Sequence, residues 1–173
     1  MESMELDDAT LTALPATPPV PTQLVGNYHH QVDAKGRVFV PAALRRGLPD
    51  NSVVAPAARG RLFVWPPAAW EEHQTLYRRT AETAAQEAKF LRWLVSHAFP
   101  FDVDTQGRLL LSPWQREWAH ISDRVVFAGL TAGVEISAEQ TWIAEEGEPP
   151  PEEFDKLSDL VWQLSRSGRG AGS

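Results

Sequence analysis

Asp33-Ala34-Lys35-Gly36-Arg37-Val38-Phe39-Val40-Pro41 returns as Asp104-Thr105-Gln106-Gly107-Arg108-Leu109-Leu110-Leu111-Ser112, 71 residues further along the chain. The aspartate, glycine and arginine are identical, and an apolar triplet follows each arginine. The correspondence continues: Val53-Val54 matches Val125-Val126, Leu62-Phe63-Val64 matches Val134-Glu135-Ile136, and Trp70 matches Trp142. These later matches lie 72 residues apart, so the second copy has gained one residue. Two copies are too few for a solenoid. They fit a pseudo-twofold domain, with two equivalent halves around one core.

Each half reads locally as short strands and turns. Residues 28–32 and 37–40 are strand candidates, and the four residues between them suit a hairpin loop. Asp33 caps that turn with its side chain, and Gly36 takes the position with positive φ. Pro41 to Gly47 has proline at its start and glycine at its end, as a short helix prefers. Residues 52–55 and 61–65 form a second hairpin across Ala58-Arg59-Gly60. In the second half Ser112-Pro113-Trp114-Gln115 offers an N-cap serine, an N1 proline and a glutamine that completes a capping box. Two helices, or one bent helix, are expected over residues 68–79 and 81–97. Ser137 to Gln140 reads as another capping box, ahead of a helix carrying Trp142. The fold class is α+β.

The 173 residues carry a net charge of -7, and the acidity is uneven. Residues 1–23 and 145–173 each contribute -4, while residues 24–144 are close to neutral at +1. Residues 1–23 read as a disordered acidic, Pro-rich tail. Residues 24–97 form the first repeat with its linking helices, and residues 98–144 the second. Residues 145–173 are an acidic linker, a short amphipathic helix over about 151–165 and a Gly/Ser tail; the helix is expected to dock on something. There are no cysteines, which excludes disulfides, thiolate catalysis and Cys-ligated metals. His29 and His30 are adjacent in a strand and point to opposite faces, so no metal is expected. No P-loop, dinucleotide fingerprint or nucleophile elbow is present, and no catalytic residue or cofactor is expected. No signal peptide or membrane span is read, which leaves a soluble cytoplasmic protein. Trp65, Trp70, Trp93, Trp114 and Trp142 look like anchors of the core or of a subunit interface.

The doubled Asp-x-x-Gly-Arg with its apolar triplet resembles the MraZ family of bacterial transcriptional regulators. The resemblance also covers Gly26-Asn27-Tyr28-His29-His30 before the first motif, and Phe90-Leu91-Arg92-Trp93 with Ser96-His97-Ala98 before the second. Ser112 stands where the family pattern has proline. The resemblance implies a duplicated AbrB-like swapped-hairpin β-barrel with flanking helices. It further implies a ring-shaped homo-oligomer, associated with the nucleoid, that binds double-stranded DNA at G-rich promoter repeats. In the family these repeats lie upstream of the operon for division and cell-wall genes, which includes the regulator's own gene, so the resemblance implies an autoregulatory repressor.

The chemistry of the turns agrees with that expectation. Arg37 and Arg108 follow the turn glycines, and an arginine fork can bond both O6 and N7 of guanine in the major groove. Asp33, Gly36, Asp104 and Gly107 are explained by turn geometry, and their part is to hold the arginines. Lys35 and Gln106 could contact phosphate or base edges, or be exposed loop residues. Arg45, Arg46 and Arg116 could contact phosphate, be solvated, or bridge subunits. The alternative function is an oligomeric scaffold or partner-binding protein with this fold and no DNA recognition. An enzyme would need a pocket of perturbed carboxylates, which the sequence does not show.

Overall fold

The computed structural model describes residues 23–81, 85–145, 147 and 149–167. The tail over residues 1–22 and the Gly/Ser end over 168–173 lie outside them. In chain order the elements are β1 (Val25–Gln31), β2 (Arg37–Phe39), α1 (Ala42–Arg45), β3 (Val53–Ala57) and β4 (Arg61–Trp65). The helices α2 (Pro67–Ala81) and α3 (Ala85–Ser96) follow, then β5 (Phe99–Pro100), β6 (Arg108–Leu110) and α4 (Pro113–Trp118). The chain continues through β7 (Arg124–Leu130), β8 (Val134–Ala138), α5 (Glu139–Glu145) and α6 (Pro151–Ser167). No helix among the described residues is long and apolar enough to cross a membrane.

The two halves interlock. One antiparallel sheet has the strand order β1-β7-β8-β4-β3-β5, and β2 pairs with β6 in a separate two-stranded ribbon. Equivalent strands sit at mirrored places in that order, so the pseudo-twofold axis passes between β4 and β8, where Phe63 faces Glu135. The first strand of one half, β1, pairs along its full length with β7 of the other, and β5 pairs with β3. Residues 33–36 therefore do not close an ordinary hairpin. β1 and β2 meet through the isolated bridge Val32–Val38, as Val103 meets Leu109 in the second half, before each strand leaves for a partner in the opposite half. Turn chemistry sets the reversal, but the apolar faces of the other half set the partner. The ladders among the described residues leave β1 and β5 as edges and close no barrel; α+β with an antiparallel sheet is the architecture observed.

One core serves both halves. Val38 and Leu109 from the ribbon, Leu44 from α1, Leu62 and Val64 from β4, Phe127 from β7 and Ile136 from β8 are all 4% exposed or less. Helix α4 starts as its sequence predicts, with Ser112 Oγ accepting from Gln115 N and Gln115 Oε1 accepting from Ser112 N. Ser137 differs from expectation: it is buried inside β8, and helix α5 begins after it, at Glu139. Pairing with β7, where Ser137 lies opposite Val126 and Ala138 opposite Val125, outweighed the local capping signal. Of the two places expected for the five tryptophans, the buried core is not the one observed, since none of them is among the buried residues. Trp65, His73, Tyr77, Phe90, Trp93, His97 and Trp114 instead run as successive ring contacts, with centroids 4.4 to 6.5 Å apart, from the end of β4 across α2 and α3 to α4. Helix α6 leaves Phe154, Leu157, Leu160 and Val161 at least half exposed.

Two ionic clusters tie α5 down. Arg61, almost wholly buried, donates to Glu135 at 2.8 Å and to Glu145 at 2.7 Å. At the other end Glu139 accepts from Arg124 on β7 and pairs with His29 on β1 at 2.6 Å. The Arg124 hydrogen bonds, then that of His29, push the Glu139 carboxyl down to about 2. A carboxyl depressed on folding stabilises fully above its unfolded value of about 4.3 and loses that contribution as pH falls through the folded value. Glu139→Gln is therefore expected to lower the urea midpoint at neutral pH. The gap between variant and parent should close between about pH 4.5 and pH 2; a gap that persists at pH 2 would contradict the assignment.

Candidate nucleic-acid interface

The two Asp-x-x-Gly-Arg turns have the same geometry. Asp33 Oδ1 accepts from the backbone N–H groups of Lys35 and Arg37, both at 2.9 Å, while Oδ2 accepts from Arg37 Nε at 2.7 Å. Asp104 repeats this with Gln106 N, Arg108 N and Arg108 Nε, all at 2.9 Å. In each turn the glycine N–H donates to the aspartate carbonyl, and the aspartate N–H donates to the arginine carbonyl. The Arg37 N–H first, and its side chain with Lys35 N next, hold the Asp33 carboxyl below the usual carboxylate range; Arg108 and Gln106 do the same for Asp104. Both aspartates are thus ionised throughout the neutral range, and each arginine is tethered by its Nε.

That tether leaves the far edge of each fork free. Among the described residues neither Nη atom of Arg37 or Arg108 donates a hydrogen bond. The side chains are 32% and 20% exposed, so they are partly embedded in the surface yet open at it. Lys35 and Gln106 are exposed at the turn tips.

The turns are also fastened to each other. Leu111 N donates to Gly36 O and Val40 N donates to Gly107 O, both at 2.9 Å, across the register Arg37–Leu110, Val38–Leu109 and Phe39–Arg108. Arg116 from α4 lies over Gly36 of the first turn, and Arg45 from α1 lies over Gly107 of the second. The structure thus brings an arginine of each half onto the turn of the other, while Arg46 is exposed. This crossing follows from strand exchange and has no local sequence signal. Two further residues that sequence reasoning passed over stand on the outer face of the ribbon: Phe39 at 52% exposure and Leu110 at 60%.

Both turn glycines have φ near +80°, where a Cβ is strained. A Cβ on Gly36 would sit 2.8 Å from the Leu111 carbonyl oxygen, which is fixed backbone, whereas one on Gly107 would meet the movable end of Arg45. Gly36→Ala is expected to cost about 1–3 kcal/mol, and Gly107→Ala less. Urea midpoints of the two variants check the order; equal losses would contradict it.

The sequence also matches known proteins. Residues 24–93 match the family model described as "MraZ protein, putative antitoxin-like". A protein of Desulforamulus reducens named "Transcriptional regulator MraZ" is 36% identical over 118 residues, which is 68% of this chain and 83% of that protein. Relatives of the same name from Heliobacterium modesticaldum and Pelotomaculum thermopropionicum are 36% and 32% identical, over 79% and 82% of this chain and 97% of each relative.

Proposed function

Because the chain belongs to the MraZ family, we propose that it is a sequence-specific, DNA-binding transcriptional regulator rather than an enzyme. The observation that carries this reading is the pair of superposable turns, each with an arginine anchored at Nε and open at both Nη atoms. Two N–H groups pointing the same way from one plane suit guanine O6 and N7. A fork already held by a carboxylate loses less side-chain freedom on binding, so more of the contact energy reaches affinity. Arg45 and Arg116, placed beside the turns, supply phosphate contacts, with Lys35, Gln106 and Arg46 at the rim.

The finer features rest on the family resemblance. They are an AbrB-type swapped-hairpin origin, a ring-shaped homo-oligomer, G-rich direct repeats upstream of the division and cell-wall operon, repression of the chain's own gene, and a cytoplasmic, nucleoid-associated location. Exchange of β1 and β5 between halves supports the first of these. The near-neutral body supports the second: one copy offers only two such turns, and repetition around a ring supplies avidity that net charge does not.

Competition tests the reading. A labelled duplex covering the region immediately upstream of the reading frame is expected to stay bound against a thousandfold excess of a shuffled duplex of equal composition, in line with the usual gap of about 10³ or more between specific and nonspecific binding. Equal competition by the shuffled duplex would favour a scaffold without DNA recognition.

A further inference from the structure

We infer that Phe39 and Leu110 form an apolar reading edge that packs on thymine C5-methyl groups beside the bases held by Arg37 and Arg108. This rests on the DNA-binding reading above. Alternation places Val38 and Leu109 inward, at 1% and 4% exposure, and the other four ribbon positions outward. On that outer face Arg37 stands opposite Leu110, and Phe39 opposite Arg108. The two apolar side chains are thus diagonal neighbours with a tethered guanidinium across the ribbon from each.

Folding does not require apolar groups there. The inner face already supplies the core, and the outer one leaves Phe39 and Leu110 more than half in water. Arg37 and Arg108 are each balanced by their aspartate, and the surplus positive charge beside the ribbon, from Arg45, Arg116 and Lys35, favours a polyanion as the occupant. A two-stranded ribbon fits the major groove of B-DNA, and the one apolar group that groove presents is the thymine methyl. Charge therefore selects the duplex, the forks select guanine, and the apolar pair selects thymine next to it. The pseudo-twofold axis relates the Phe39–Arg108 pair to the Leu110–Arg37 pair, so each half carries one of each reader.

The experiment uses the upstream fragment amplified once with dTTP and once with dUTP, which deletes every C5-methyl and leaves base pairing intact. Full-length protein is expected to bind the uracil fragment more weakly, by about fourfold for each methyl lost from a contact. The double variant Phe39→Ala/Leu110→Ala keeps all arginines; it should bind the thymine fragment as weakly as the parent binds the uracil one, should not distinguish the two, and should still outcompete the shuffled duplex. Equal binding of both fragments by the parent, or unchanged discrimination by the variant, would overturn the inference while leaving the DNA-binding reading in place. A shift in assembly mass of the variant without any methyl dependence would also overturn it, by assigning the pair to contacts between copies. Failure of the parent to bind either fragment would take down both readings.

Discussion

Arg37→Ala and Arg108→Ala are each expected to abolish measurable binding to the upstream fragment while leaving the fold intact. One bidentate guanine contact discriminates by about 1–3 kcal/mol, roughly 5- to 150-fold. In the proposed ring one substitution would remove that contact from every copy at once, and losses would multiply across the proposed repeats. The fold should survive because each arginine is peripheral to the core and its Nε bond is duplicated by backbone bonds to the same aspartate. Circular dichroism and assembly mass check this. Arg37→Lys sharpens the test, since lysine keeps the charge but not the planar fork. It should retain nonspecific, salt-sensitive affinity and lose the preference for the upstream fragment. Full preference in both alanine variants would contradict the role given to these residues.

Phe127→Ala carries the largest expected loss of stability. Phe127 is fully buried in β7, directly between Tyr28 of β1 and Ile136 of β8 in the ladder register. Truncating a buried phenylalanine costs about 3–5 kcal/mol, from lost transfer energy and from the cavity left behind. Set against a total stability of about 5–15 kcal/mol, this lowers the melting temperature by on the order of 10 °C or more. Because β7 binds β1 of the first half and the core is continuous, both halves should melt together in the variant as in the parent. Separate transitions, with the first half melting unchanged, would contradict the interlocked core.

The sequence made some of this legible and hid the rest for identifiable reasons. Asp33, Gly36 and their counterparts could be read because a capping carboxylate and a left-handed glycine act within five residues. The capping box at Ser112–Gln115 was equally local. Strand exchange was not readable, since whether the strand before the turn continues along the one after it or pairs as Tyr28 does with Phe127 depends on contacts about 100 residues away. The crossing of Arg45 and Arg116 onto the opposite turns went unseen for the same reason. Ser137 misled because a serine two residues before an acidic helix start looks like a cap whether or not the strand continues through it. Phe39 and Leu110 were masked by uninterrupted apolar runs, Val38-Phe39-Val40 and Leu109-Leu110-Leu111, in which no polar residue marks the outward position. Trp93 and Trp114 were hidden because α3 and α4 pack through stacked and tilted ring contacts with Trp118 rather than into the shared core.

Protection of guanine N7 from dimethyl sulfate, mapped base by base on the upstream fragment, reports on the guanine contacts proposed for Arg37 and Arg108. Bound parent protein should shield N7 at guanines recurring in direct repeats, and Arg37→Ala and Arg108→Ala should each remove that shielding. Tight binding with every guanine N7 still open to methylation would contradict those contacts.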